Sequence, residues 1–178
     1  MSNILILNGS PRAGGNTDCL VEAFVSTARL CHHVDVLRVA DCHIAPCRGC
    51  NCCFLDAAHT CVQNDDVTLL YQKMSEADVL VLASPVYFYG ISAQLAAAVH
   101  RLHNPVRDSF HITKAALMLA AASKKPHVCE PIRLQYSLLL ANFGIEDAGQ
   151  VIAQGVGAPG DVRDTEFIGQ AAALGGSL

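Results

Sequence analysis

Charge is scarce in this chain. Asp, Glu, Lys and Arg make up 16% of its 178 residues, and the net charge is only −4. The basic residues are scattered, with Lys124-Lys125 the sole adjacent pair. That composition carries no footprint for nucleic acid or for an anionic membrane surface. Aromatics are also few, at 6%, so any local concentration of them needs a reason. Repeats, linkers and low-complexity segments are missing. The charge-free stretch 79–99 is long enough to suggest a membrane span, but Ser84, Pro85, Gly90, Ser92 and Gln94 interrupt it. It reads as strand, loop and helix in series. The opening MSNILILNGSPR has no basic leader, and its apolar run stops at Asn8-Gly9. A cytoplasmic location is therefore expected, where thiols stay reduced and a disulfide scaffold is the weaker reading of the nine cysteines. No Ser-His-Asp or paired-carboxylate signature is present.

What is abundant is apolar residues, at 52%, enough to build the core of a single domain over 1–178. Short apolar runs alternate with helical periods. Strands are predicted at Ile4 to Leu7, Val34 to Val39 (near a sheet edge), Val79 to Ala83, Ala115 to Ala121 and Ile145 to Ala153, the last weakened by Asp147 and Gly149. Helices are predicted from Asn16 or Thr17 to about Cys31, from Asn64 or Asp65 to Ala77, from Ser92 to His103, from Pro131 to Asn142, and over 161–174. The first would bury Leu20, Ala23, Phe24, Thr27 and Leu30. Such alternation implies a doubly wound parallel sheet, with ligands bound beyond the carboxyl ends of its strands.

The loop after the first strand, Asn8 to Thr17, contains Gly9, Gly14 and Gly15 and feeds a helix amino end. Free backbone amides and the helix dipole favour an anion there. Ser10, Asn16 and Thr17 add short donors, and Arg12 adds a charged fork suited to phosphate. Pro11 breaks a GxGxxG fingerprint, and Asn16 stands where a Walker loop needs Lys. A terminal monophosphate is the expected guest.

The loop after the third strand reads Ser84-Pro85-Val86-Tyr87-Phe88-Tyr89-Gly90. Three consecutive aromatics in a loop suit a stacked planar ring, at roughly 1–3 kcal/mol per contact by analogy with base stacking. The alternative is ordinary packing, with Phe88 in the core and the tyrosines at a subunit contact.

The segments ILILNGSPRAGGNT, SPVYFYGISAQL and GVGAPGDVRD resemble the NADPH-dependent FMN reductase family. That resemblance implies a flavodoxin-like fold, a five-stranded parallel sheet of order 2-1-3-4-5 with helices on both faces. It implies FMN, with its phosphate at Ser10, Arg12, Asn16 and Thr17 and its ring along Pro85, Val86, Tyr87, Phe88, Tyr89 and Gly90. It also implies NAD(P)H as hydride donor and a homodimer or homotetramer. Ser123, after the fourth strand, is placed to touch the ring edge or ribityl chain. The late segment Gly155–Asp161 is expected further away, shaping the mouth or a subunit contact. Family members often carry Lys after Ala-Gln-Leu and an Asp-Arg pair one turn later; here Ala96 and His100-Arg101 stand there.

An aperiodic loop at about 41–63 holds C-x2-C-x2-C-x7-C: Cys47, Cys50, Cys53 and Cys61. Its spacing suits a [4Fe–4S] cluster and resembles the iron–sulfur flavoprotein branch of the superfamily. Zinc, free thiols and an intramolecular disulfide remain open. Cys52 is expected to point away, and His59 to tune a neighbouring centre through a hydrogen bond. Cys19 and Cys31, in the first helix, are expected as buried packing residues. The functional expectation is an FMN-dependent NAD(P)H oxidoreductase serving a small-molecule or protein acceptor. The alternative is an electron-transfer flavoprotein that exchanges electrons with a ferredoxin-like partner without oxidising NAD(P)H.

Overall fold

In the computed structural model, which describes residues 1–178, five parallel strands form one sheet of order β2-β1-β3-β4-β5. They are β1 (Asn3–Asn8), β2 (His33–Arg38), β3 (Val79–Pro85), β4 (Lys114–Ala121) and β5 (Glu146–Gln154). Six helices connect or cover them: α1 (Asn16–Ala28), the single turn α2 (Cys52–Leu55), α3 (Val67–Glu76), α4 (Ala93–Arg101), α5 (Glu130–Phe143) and α6 (Glu166–Gly176).

The two-residue period of a strand decides which helices each face meets. Ile4 and Ile6 of β1, with Met118 of β4, point into a core closed by α1 and α6. Leu5 and Leu7, with Leu117 and Leu119, point into the opposite core under α3, α4 and α5. Both faces are covered, so β1 and β4 read as unbroken apolar runs. Each fully buried Leu, Ile or Phe here contributes roughly 1.5–3 kcal/mol. α1 and α6 pack closely: a Cβ on Gly175 would stand 2.3 Å from the Phe24 carbonyl oxygen, and Thr27 Oγ1 donates to the Ala172 carbonyl at 2.6 Å.

Three sequence expectations are corrected. α1 stops at Ala28, so Leu30 is 80% exposed rather than on the buried face. Cys31 is likewise exposed, whereas Cys19 is buried as expected. The last helix begins at Glu166, not Asp161. Asp161 Oδ2 instead accepts the amides of Gly157 and Ala158 at 2.9 and 2.7 Å, which closes a turn before the helix. The last strand forms where expected, with Asp147 and Gly149 inside it. They mark a β-bulge, where register shifts between Ala115 and Ala116 of β4 and Gly149 takes φ +133°. No helix is long and apolar enough to cross a membrane.

Candidate functional site

Strand order reverses between β1 and β3, and the loops leaving those two strands flank that point. Gly9 makes their approach possible. Its amide donates to the Ala83 carbonyl at 2.8 Å. A Cβ there would lie 2.6 Å from Leu95 Cβ and 2.7 Å from Ser92 Oγ.

The first loop is held from below by a network the sequence did not announce. Asp18, buried in the first turn of α1, receives Asn8 Nδ2 at 2.7 Å and the Gly14 amide at 2.7 Å. Arg38 Nη1, from the end of β2, reaches both its oxygens at 2.9 Å. An acidic residue in a first helical turn is a visible signal; its pairing with Arg38 has none. Of the expected phosphate residues, two are engaged within the protein. Ser10 Oγ donates to the Arg12 carbonyl at 2.9 Å and accepts the Arg12 amide at 3.2 Å, shaping its own loop. Asn16 Nδ2 donates to the carbonyls of Val156 and Ala158 at 3.1 and 2.9 Å, and its Oδ1 accepts the Val162 amide at 3.2 Å. The late glycine-rich segment, expected further off, is thereby tied to the start of α1. Gly15 occupies the N-cap and leaves the helix without a side-chain cap. The outward offer is therefore the first-turn amides and the exposed Arg12, while Thr17, expected beside them, is buried.

The aromatic loop is a two-residue reversal. Tyr87 and Gly90 exchange backbone hydrogen bonds, both 2.9 Å. Phe88 and Tyr89 at its tip have φ of +47° and +64°, the pattern of a type I′ turn. Side chains in that region cost about 1–2 kcal/mol per residue. Phe88 is fully exposed and Tyr89 about half so, so Phe88 is no core residue. Ser84 Oγ accepts the Ser92 amide at 2.9 Å, and Ser92 Oγ caps α4 by accepting the Leu95 amide at 3.2 Å. The turn thus projects from a firm base. Ser123, half-buried, accepts the Lys125 amide at 3.1 Å.

The cysteine loop closes on itself at its base. The His43 amide donates to Asp66 Oδ2 at 2.6 Å, and the Ala45 amide to Asp65 Oδ2 at 3.0 Å. Left-handed residues Gly49, Asn51 and His59 turn the chain back. Cys47, Cys50, Cys53 and Cys61 all line one pocket that also takes in Tyr71, Arg101 and His103. Cys52, as expected, is not among its lining residues. His59 Nδ1 is paired with the Cys53 carbonyl at 2.9 Å. All nine cysteines are free. Hydrogen bonding from Cys52 holds the exposed Cys50 thiol below the usual thiol range. Burial, followed by the neighbouring Cys61, Cys47 and Cys50 sulfurs, pushes Cys53 above it.

Against this loop stands Arg101, the last residue of α4, with its side chain 1% exposed. Nη1 meets Asp65 Oδ2 at 2.6 Å and the Ala45 carbonyl at 2.8 Å; Nη2 donates to Cys61 Sγ at 3.2 Å. Burial alone would raise the Asp65 carboxyl, but the Arg101 hydrogen bond and the Ala45 and Val67 amides carry it below the ordinary carboxylate value. Burial pushes Tyr71, beside Arg101, up to about 12.

Fold and loops together define a flavodoxin-like α/β protein with a glycine-rich loop and an aromatic turn at the switch point of its sheet. The chain belongs to the NADPH-dependent FMN reductase family, whose model matches residues 2–139. Similar proteins include the iron-sulfur flavoprotein MJ1083 of Methanocaldococcus jannaschii, 40% identical over 61% of this chain and 55% of that protein. An iron-sulfur flavoprotein of Archaeoglobus fulgidus is 29% identical over 96% of this chain and 76% of that one. This chain thus spans about half the length of the first relative and three quarters of the second. Among solved structures, a NAD(P)H:quinone oxidoreductase from Methanothermobacter marburgensis superposes with TM-score 0.74 at 17% identity, covering 98% of this chain and 96% of that one. That likeness is one of fold.

Proposed function

We propose that this protein is an FMN-dependent oxidoreductase that draws on NAD(P)H and serves a small-molecule or protein acceptor. The observation that carries this reading is the meeting of an uncapped helix amino end and an exposed, strained aromatic turn at one switch point. The free first-turn amides and the exposed Arg12 fit a phosphate, with Ser10 and Asn16 holding the loop in shape around it. Pro85 to Gly90 fit one side of a flat ring, and Ser123 its edge. Bound there, FMN supplies hydride acceptance and electron release. The protein's own work is to hold and orient the flavin, to shield part of it from water and to leave a face open to substrate. It needs no proton-transfer residue of its own.

For the cysteine loop the proposed guest is a [4Fe–4S] cluster, on the C-x2-C-x2-C-x7-C spacing. No group of three or more His, Cys, Asp or Glu side chains is gathered closely enough for one metal ion. Zinc asks four ligands to converge, with sulfurs at about 2.3 Å from one point. A four-iron cluster takes four thiolates, and Cys47, Cys50, Cys53 and Cys61 line one pocket. Such a cluster supplies single-electron transfer. The relatives named iron-sulfur flavoprotein support the same assignment. The homodimer or homotetramer, the cytoplasmic location and the identity of the acceptor belong to this proposal too.

Steady-state oxidation of NADH and NADPH by FMN-loaded protein, with quinone, free flavin and ferredoxin as acceptors, tests the reading. Turnover above the FMN-free control is expected. Rapid electron exchange with ferredoxin and no NAD(P)H oxidation would instead make the protein an electron carrier.

A further inference from the structure

Burying a guanidinium is costly, and an ion pair in its place is no more stable than apolar residues of similar volume. Stability therefore does not account for Arg101, whose side chain and that of Asp65 are 1% and 4% exposed. The division of its donors is informative. Nη1 alone reaches both Asp65 Oδ2 and the Ala45 carbonyl, at 2.6 and 2.8 Å. Nη2 is directed instead at a sulfur, Cys61 Sγ, at 3.2 Å. The same helix end grips the loop twice more. Asn104 Nδ2 donates to the His59 carbonyl at 2.7 Å, and Phe54 packs on His103 with ring centroids 5.2 Å apart. Asp65 in turn receives the Ala45 amide at one oxygen and the Val67 amide at the other. The Asp65–Arg101 pair therefore ties the two ends of the cysteine loop and the end of α4 into one unit, with Cys61 at its tip.

We propose that Arg101 is the positioning residue of the cysteine loop: it aims Cys61 Sγ at a cluster shared with Cys47, Cys50 and Cys53, and its charge on that sulfur raises the cluster's reduction potential. This rests on the cluster assignment above. A reduced cluster carries one more negative charge than an oxidised one. A fixed cation bonded to a ligand sulfur therefore favours the reduced form. Asp65 keeps the guanidinium turned toward Cys61.

The test compares wild type, Arg101→Lys and the double variant Asp65→Asn/Arg101→Gln. The double variant removes both charges, so that neither is left buried alone. Each protein is reconstituted anaerobically with iron and sulfide, assayed for both, and titrated against redox dyes while the cluster's visible absorbance is followed. Far-UV circular dichroism and FMN binding report folding. The expected result is a double variant whose oxidised-to-reduced ratio at fixed potential rises about tenfold, equal to about 59 mV for a one-electron couple. Arg101→Lys should lie between it and wild type. Folded variants that bind FMN but retain less iron than wild type also support the positioning role. Variants that load fully and titrate with the wild-type midpoint overturn it and leave the cluster assignment standing. Wild type that takes up no iron and sulfide overturns both.

Discussion

Gly9→Ala should damage two loops with one methyl group. The new Cβ would meet Leu95 Cβ at 2.6 Å and Ser92 Oγ at 2.7 Å, with Leu95 Cδ2 at 3.3 Å. Neither neighbour can retreat, because Leu95 and Ser92 are both fully buried. Overpacking of this kind costs about 1–3 kcal/mol. Moving Ser92 also strains the cap it provides to the Leu95 amide, worth about 1 kcal/mol. The sum is about 2–4 kcal/mol, and at 2–4 °C per kcal/mol for a domain of this size Tm should fall by roughly 4–16 °C. Ser92 is also bonded to Ser84 at the base of the aromatic turn, so strain reaches the proposed ring site and FMN affinity should fall about tenfold or more. Differential scanning calorimetry of the apoprotein and fluorescence titration with FMN measure the two effects. Gly14→Ala is the control. Its Cβ meets nothing within 4 Å, but its φ is +69°, so it should cost about 1–2 kcal/mol from backbone strain alone. A Gly9→Ala protein with wild-type Tm and FMN affinity would refute the claim that the loops are packed through Gly9.

Phe88→Asn should leave apoprotein Tm unchanged or slightly raised, since Asn tolerates positive φ. It should also weaken FMN binding by roughly 1–3 kcal/mol of lost stacking; unchanged affinity would remove Phe88 from the ring site. Asn16→Ala removes three hydrogen bonds to the late segment and should lower stability by about 1–3 kcal/mol, read in a urea midpoint. Asp65 titrates below its ordinary value when folded. Its contribution is therefore complete above the unfolded value near about 3.9 and is lost as pH falls through the lower folded one. Acid titration of tyrosine fluorescence in wild type and Asp65→Asn checks this, because the variant should lack that acid-dependent loss.

Sheet and helices were legible because both faces of the sheet are covered, which turns β1, β3 and β4 into apolar runs that periodicity finds. Element ends were less so. Leu30 continues the apolar spacing of α1, but the chain has already left the helix. Asp161 resembles a helix cap, but it closes a turn five residues before the helix begins at Glu166. The glycine-rich loop before α1 was legible from its glycines and position. Its support was not: Arg38 lies twenty residues from Asp18 and joins it only because β2 runs beside β1. Arg101 was visible only as part of a family pattern. Nothing in its neighbourhood along the chain announces a bond to a sulfur forty residues earlier.

The most direct test of the account is a pair of equilibrium titrations of the apoprotein, one with FMN and one with riboflavin. If the uncapped start of α1 holds a phosphate while the aromatic turn holds the ring, FMN should bind one per chain at micromolar Kd or tighter. Riboflavin, lacking only the phosphate, should bind far more weakly. Equal affinity for the two, or no FMN bound at micromolar concentration, would contradict it.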